Sequence, residues 1–272
     1  MIYLVLAIFS SCMVSVCMRF AEKKSQYPLG LLASNYLICS IMAIFYCDQF
    51  QFSVGLGAFG ILNGLLYLVA FVLIQWNIKH NGMIMTSTFN KLGVTVPVIA
   101  SMILFHENPT LVQCLGMFLA ATAILLLKGK REQQQMRLLP LVVLLGMGGF
   151  TDFTSKIFEM TFDVMYKDVF LFLTFFSAMV LCVGYVLSKK QKITRTELFY
   201  GSLIGLPNYY SARFLLHALT QIDAIAVYPT CSVGTILMVS VFGFLFFGEK
   251  LSKRQICIMG LFLVSLILLN LS

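Results

Sequence analysis

Charge is what this sequence has least of. Asp, Glu, Lys and Arg make up 11% of its 272 residues, against 60% hydrophobic residues and a mean hydropathy of +0.92. A soluble domain is about a quarter charged, so this chain has too few polar groups to cover a water-facing surface. Lipid must be the solvent for most of it. In lipid every backbone group has to pair within the chain, which leaves helices or a closed barrel. The apolar runs last roughly twenty residues, the length of a spanning helix. They show no period-two alternation, which excludes the barrel.

Further absences narrow the function. There is no P-loop, so the chain itself supplies no ATP drive. No HExxH, GxSxG or paired intramembrane Asp motif occurs, so an enzyme is not expected. No CxxC occurs either. The eight cysteines (Cys12, Cys17, Cys39, Cys47, Cys114, Cys182, Cys231 and Cys257) are scattered through the apolar runs with no His at ligand spacing. They read as small packing residues, with no metal and no cofactor expected. The opening run lacks a basic flank and a small-residue cleavage site, and reads as a span rather than a signal peptide.

What is present is about ten apolar spans, near 2–18, 28–47, 55–76, 83–105, 110–127, 138–158, 166–187, 198–219, 224–247 and 252–271. The net charge of +8 is not spread evenly: fifteen of the nineteen Lys and Arg fall in alternate connectors. These are Arg19, Lys23 and Lys24; Lys79; Lys128, Lys130, Arg131 and Arg137; Lys189, Lys190, Lys192 and Arg195; and Lys250, Lys253 and Arg254. This is the positive-inside pattern of a membrane protein, not a nucleic-acid surface. It predicts cytoplasmic basic connectors and both termini outside.

Two segments repeat 142 positions apart. The first is Leu104-Phe105-His106-Glu107 with Thr110 and Gln113, and the second is Phe246-Phe247-Gly248-Glu249 with Ser252 and Gln255. Each carries Thr/Ser-x-x-Gln, a capping box that opens a helix. Glu107 and Glu249 stand where a carboxylate favours the positive end of the next helix. At the same offset Tyr67 falls on Tyr209, Ala70 on Ala212, Thr88 on Thr230 and Asn90 on Ser232. Five spans per half is an odd number, so the second half enters the membrane upside down. The expected fold is therefore an all-α integral membrane protein of ten transmembrane helices in two inverted five-helix repeats, 1–130 and 131–272. That is a common build of secondary transporters, with the binding site between the halves.

On these features the chain resembles the drug/metabolite transporter superfamily, of the EamA type. The resemblance runs over essentially the whole chain. It rests on the ten short-looped spans, the two halves, and F-x-E followed by Ser/Thr-x-x-Gln between the last two spans of each half. The first half departs from the pattern with His106 where a Gly is common, and Gln255 is followed by Gly only at 260. The resemblance implies a central cavity lined mainly by spans three, four, eight and nine. It also sets this chain apart from the four-span multidrug exporters of the superfamily, whose first span carries a proton-exchanging Glu. Span one here has no acidic residue.

A charge inside a span is costly and marks a pathway or a partner. Lys91 lies in span four and Arg213 in span eight. With Asn63 and Tyr67, Asn90, Asn208 and Tyr209, and Tyr228, Thr230 and Ser232, they form the expected substrate site. One reading makes Lys91 and Arg213 two cations facing one cavity; the other pairs them structurally with Asp152 or with carbonyls. Asp152 and Lys156 are four apart on span six, hence on one helix face. They read as a self-contained ion pair or, for Asp152, as a proton-coupling site. Pro97, Pro207 and Pro229 permit kinks in spans four, eight and nine.

The function expected is secondary or facilitative transport, with export as the family's commoner direction, of a small polar metabolite, anionic or zwitterionic, by alternating access. The alternatives are efflux of apolar or cationic compounds and a non-transporting membrane protein. The expected partners are a small-molecule substrate, the lipid bilayer and a proton or counter-substrate, with no nucleic acid. The expected location is a bacterial inner membrane.

Overall fold

The computed structural model describes residues 2–47, 53–93, 96, 110–126, 137–219, 221, 224–249 and 251–269. Its α-helices are Ile2–Glu22 (α1), Pro28–Phe45 (α2), Val54–Asn81 (α3), Met83–Leu92 (α4), Leu111–Leu126 (α5), Leu138–Thr161 (α6), Lys167–Ser188 (α7), Arg195–Leu219 (α8), Ala224–Phe247 (α9) and Lys253–Leu269 (α10). A single 3-10 turn, Val164–Tyr166, leads into α7. No strand occurs among the described residues. Four whole helices (α1, α2, α3 and α7) and the Thr230–Phe247 part of α9 are long and apolar enough to cross a membrane. Large apolar side chains such as Phe45, Val54 and Leu111 stand in the open on the outside of the bundle. Lipid is the surrounding in which such a surface is stable. The protein is an all-α membrane protein.

Local chemistry sets the helix starts. Pro28 opens α2 after an extended Tyr27, where a missing amide costs nothing. Ser53 caps α3, its hydroxyl accepting from the Leu56 amide at 3.2 Å. Thr110 and Ser252 immediately precede α5 and α10, and their carbonyls accept from Cys114 and Ile256, each at 3.0 Å. Both capping-box hydroxyl residues therefore stand at helix starts. Glu107 and Pro97, and the side chains of Gln113, Lys156, Gln255 and Pro229, lie outside the described residues. Pro207 sits within a continuous α8.

The most extensive packing joins α2 to α7 and α8, α1 to α8 and α9, α3 to α6 and α7, α4 to α6 and α9, and α5 to α10. One large core gathers side chains of α1, α2, α3, α7 and α8, including Tyr36, Phe175 and Tyr209. A second core joins α4, α5, α6, α9 and α10 around Phe89 and Phe262.

The described residues of the basic connectors meet at one end of the bundle; Lys128, Lys130, Arg131 and Lys250 lie outside the described residues. Arg19 Nη1 donates to the Ile78 carbonyl at 2.9 Å. The Arg137 amide donates to Asn81 Oδ1 at 2.7 Å, and the Arg254 guanidinium to the Leu126 carbonyl. Glu197 ties the starts of α2 and α8 together. It accepts from the amides of Gln26 (3.0 Å), Tyr27 (3.3 Å) and Thr194 (3.0 Å), and from the Thr194 hydroxyl. Glu249 corrects the expectation that it serves the helix after it. Its carboxylate accepts from the Met83 and Ile84 amides at 2.8 and 3.1 Å, so it caps α4. The chain can reach α4 because Gly248 turns back at φ +62° after α9, a left-handed exit that favours glycine. Gly82, at φ +81°, leaves room for the carboxylate: a Cβ there would meet its oxygens at 3.3 Å. Arg19 Nε stands 3.6 Å from the same carboxylate.

Candidate functional site

A cavity of about 140 Å³ lies at the centre of the bundle between α1, α3, α4, α6, α8 and α9. Helical spacing delivers its polar wall. On α4, Thr86, Ser87, Asn90 and Lys91 all reach it, because residues three and four apart share a face. Ser11 and Ser15, four apart on α1, face them, and the Ser15 and Ser87 hydroxyls are hydrogen-bonded at 2.9 Å. Tyr67 enters from α3, Asn208 and Ser211 from α8, Thr151 and Asp152 from α6, and Thr235 from α9. Among the described residues, Lys91 and Asp152 are the charged members of this wall.

The wall is held from behind. Asn208 Nδ2 donates to Asn35 Oδ1 of α2 at 3.2 Å. The Tyr67 carbonyl accepts from the fully buried Tyr36 hydroxyl at 3.1 Å, and its ring packs edge-on against Phe175 at 5.6 Å. The Thr235 hydroxyl is different. It is buried, with 1% of the residue exposed, and has no hydrogen-bond partner among the described residues.

Of the residues expected at the substrate site, Lys91, Tyr67, Asn90 and Asn208 line this cavity together. Arg213 does not join them. Its guanidinium stacks on the Tyr46 ring at 3.7 Å, donates to the Tyr209 hydroxyl at 3.2 Å and stands 3.9 Å from the Asp168 carboxylate. The Tyr46 ring just after α2, the Asp168 carboxylate of α7 and the Tyr209 hydroxyl of α8 thus hold it near the end of the bundle opposite the basic connectors. Tyr209 is buried in the same cluster, its ring stacked on Tyr46 at 6.0 Å. Asn63 is committed elsewhere, donating to Thr174 at 3.2 Å and accepting from Thr154 at 2.7 Å. Ser232 is buried away from the cavity and Thr230 is exposed on α9. The Tyr228 side chain lies outside the described residues.

Sequence reasoning missed Ser11, Ser15, Ser87 and Thr235, and it weighed Asp152 as a structural partner of Lys91 or Arg213, as a pair for Lys156 or as a proton site, not as part of the substrate site. The i, i+4 spacings Ser11/Ser15 and Ser87/Lys91 were available signals. Isolated hydroxyls, though, are common in spans, where they bond their own helix, as Thr88 does to the Ile84 carbonyl at 2.9 Å.

No family model matches the chain. An uncharacterized protein of Haemophilus influenzae is 23% identical over 269 residues, which span 92% of this chain and 91% of that one. The chain also superimposes on a protein of known crystal structure with a TM-score of 0.65. That alignment covers 98% of this chain and 94% of the other at 12% identity, a likeness of fold alone.

Proposed function

We propose that this chain is a ten-span secondary transporter of the drug/metabolite transporter type, built from two inverted five-helix repeats, 1–130 and 131–272. The observation that carries the reading is a central polar cavity, bearing charge, whose walls come from both halves of an apolar bundle. Such a site between repeats is where alternating-access carriers bind substrate.

The packing pattern supports the repeat. Exchange each helix with the one five places later, and the major contacts map onto one another. The α2–α8 contact becomes α7–α3, α1–α8 becomes α6–α3, and α1–α9 becomes α6–α4, while α2–α7, α4–α9 and α5–α10 map onto themselves. The helix directions support the inversion. The α1 helix begins beside His217, its Tyr3 ring 5.2 Å from the imidazole, whereas α6 begins at the basic end, where Arg137 meets Asn81. Helix α4 starts at that basic end and α9 finishes there, joined through Glu249.

In this mechanism the halves rock about the cavity, opening it to one side and then the other. Lys91 supplies a positive contact to a small polar substrate that is anionic or zwitterionic. Export fits the family resemblance. The membrane proposed is a bacterial inner membrane, with the basic connectors cytoplasmic. A proton or counter-substrate drives the cycle.

The test is Lys91→Met in proteoliposomes loaded with a mixture of labelled small metabolites. Loss of the flux seen with unaltered protein, at an unchanged melting temperature, is the expected result. Intact flux with lowered stability would make Lys91 one half of a structural pair, because removing one member strands the other charge.

A further inference from the structure

We infer that the central cavity is a bipolar site that selects a small zwitterion, with Lys91 receiving the carboxylate and Asp152 the ammonium. The inference rests on the reading of this cavity as the substrate site and goes beyond it by naming the ligand's charge pattern and the residue that reads each end.

Three observations carry it. First, the wall holds one cation and one anion, Lys91 on α4 and Asp152 on α6, with no other charge among its described residues. Arg213, which would have tipped the balance toward anions, is held away by Asp168 and Tyr46. A monoanion in this space meets Asp152 as well as Lys91, and a monocation meets Lys91 as well as Asp152. In a site of low dielectric either repulsion is strong. A ligand carrying both charges satisfies both groups. Second, among the described residues no carboxylate lies within 4 Å of Lys91. The two charges share the cavity without closing on each other, which leaves space for a ligand between them.

Third, the rest of the wall is built for hydrogen bonds. The Thr235 hydroxyl is buried and has no partner among the described residues, a group that costs free energy until something pairs with it. Ser87, Asn90 and Asn208 add further donors and acceptors. At about 140 Å³ the cavity has room for about ten water-sized groups, taking one water as roughly 10–15 Å³. That fits an amino acid with a short polar side chain and is too small for a nucleotide.

The test uses three probes matched in size: L-serine, 3-hydroxypropionate, which lacks the ammonium, and ethanolamine, which lacks the carboxylate. Binding is read as the rise in melting temperature of the purified full-length protein, since a ligand bound only by the folded state stabilises it. Serine is expected to bind at least about tenfold more tightly than either half-ligand. Asp152→Asn should abolish that advantage over 3-hydroxypropionate, and Lys91→Gln the advantage over ethanolamine. Binding of 3-hydroxypropionate as tight as serine to unaltered protein overturns the proposal, and so does failure of all three to bind. These comparisons need no variant, so a variant that fails to fold leaves the proposal testable. Flux in proteoliposomes separates the two claims. Serine that binds but does not cross refutes the transport reading and leaves the bipolar site. 3-Hydroxypropionate crossing as fast as serine refutes the bipolar site and leaves transport.

Discussion

At the scale of the residue, single charges do separable jobs in this protein. Glu249 accepts hydrogen bonds from two amides at the start of α4 and stands beside Arg19. A charge-assisted cap between distant segments is worth more than an exposed pair. Glu249→Gln should cost about 1–3 kcal/mol, the penalty for leaving such groups poorly satisfied. Glu22→Gln, which removes a 3.4 Å partner of Arg19 on the same helix, should cost less than about 1 kcal/mol. Denaturation of the two variants checks the contrast; equal losses would make Glu249 an ordinary surface acid. Lys91 could be singled out from sequence because a lysine in an apolar run is costly and needs either a pathway or a partner. The withdrawal of Arg213 could not be, because Asp168 and Tyr46 stand 45 and 167 positions before it and only folding brings them together. Asp152 was visible as a charge, but its i, i+4 neighbour Lys156 pointed to a local pair, whereas its carboxylate faces the cavity.

At the scale of the element, the helices meet through small residues. Gly60 and Gly64 on α3 lie against Leu173, Thr174 and Ser177 of α7, and Gly201 and Gly205 on α8 lie against Leu31, Asn35 and Ile38 of α2. Without a hydrophobic drive between helices in lipid, such close approach supplies much of the packing energy. A Cβ on Gly205 would meet the Asn35 carbonyl at 2.7 Å, and one on Gly64 would run into the Thr174 carbonyl. Backbone atoms cannot swing aside. Gly64→Ala and Gly205→Ala should each destabilise by about 1–3 kcal/mol, the usual cost of overpacking. Gly146→Ala, where nothing lies within 4 Å, should be neutral or slightly stabilising. Melting temperatures of the three variants test this. The two Gly-x-x-x-Gly pairs also match under exchange of the halves, but at an offset of 141 rather than 142. A search held at one register passes over them. Helix existence and most helix starts were legible, because apolar runs begin at or just after Pro28, Ser53, Thr110 and Ser252. The partner of each helix was not, since apolar faces in lipid carry no amphipathic stripe to show which side is covered.

At the scale of the whole molecule, the charge asymmetry read from sequence corresponds to one physical end of the bundle. Arg19, Arg137, Glu197 and Glu249 cross-link the connectors there, and Tyr3, His217 and Arg213 lie toward the other end. The positive-inside rule predicts that both termini face away from the cytoplasm. A C-terminal green fluorescent protein fusion should therefore stay dark in a bacterial host, and an alkaline phosphatase fusion should be active. The reverse pair of results would invert the assigned topology. The central claim is that the cavity opens in turn to both sides of the membrane. It is tested most directly by placing a single cysteine at Ser211→Cys on the cavity wall, in a background with the eight native cysteines replaced, and applying a membrane-impermeant maleimide to sealed vesicles of each orientation. Alternating access predicts labelling from both sides, with each rate altered by a bound ligand. Labelling from one side alone would contradict it.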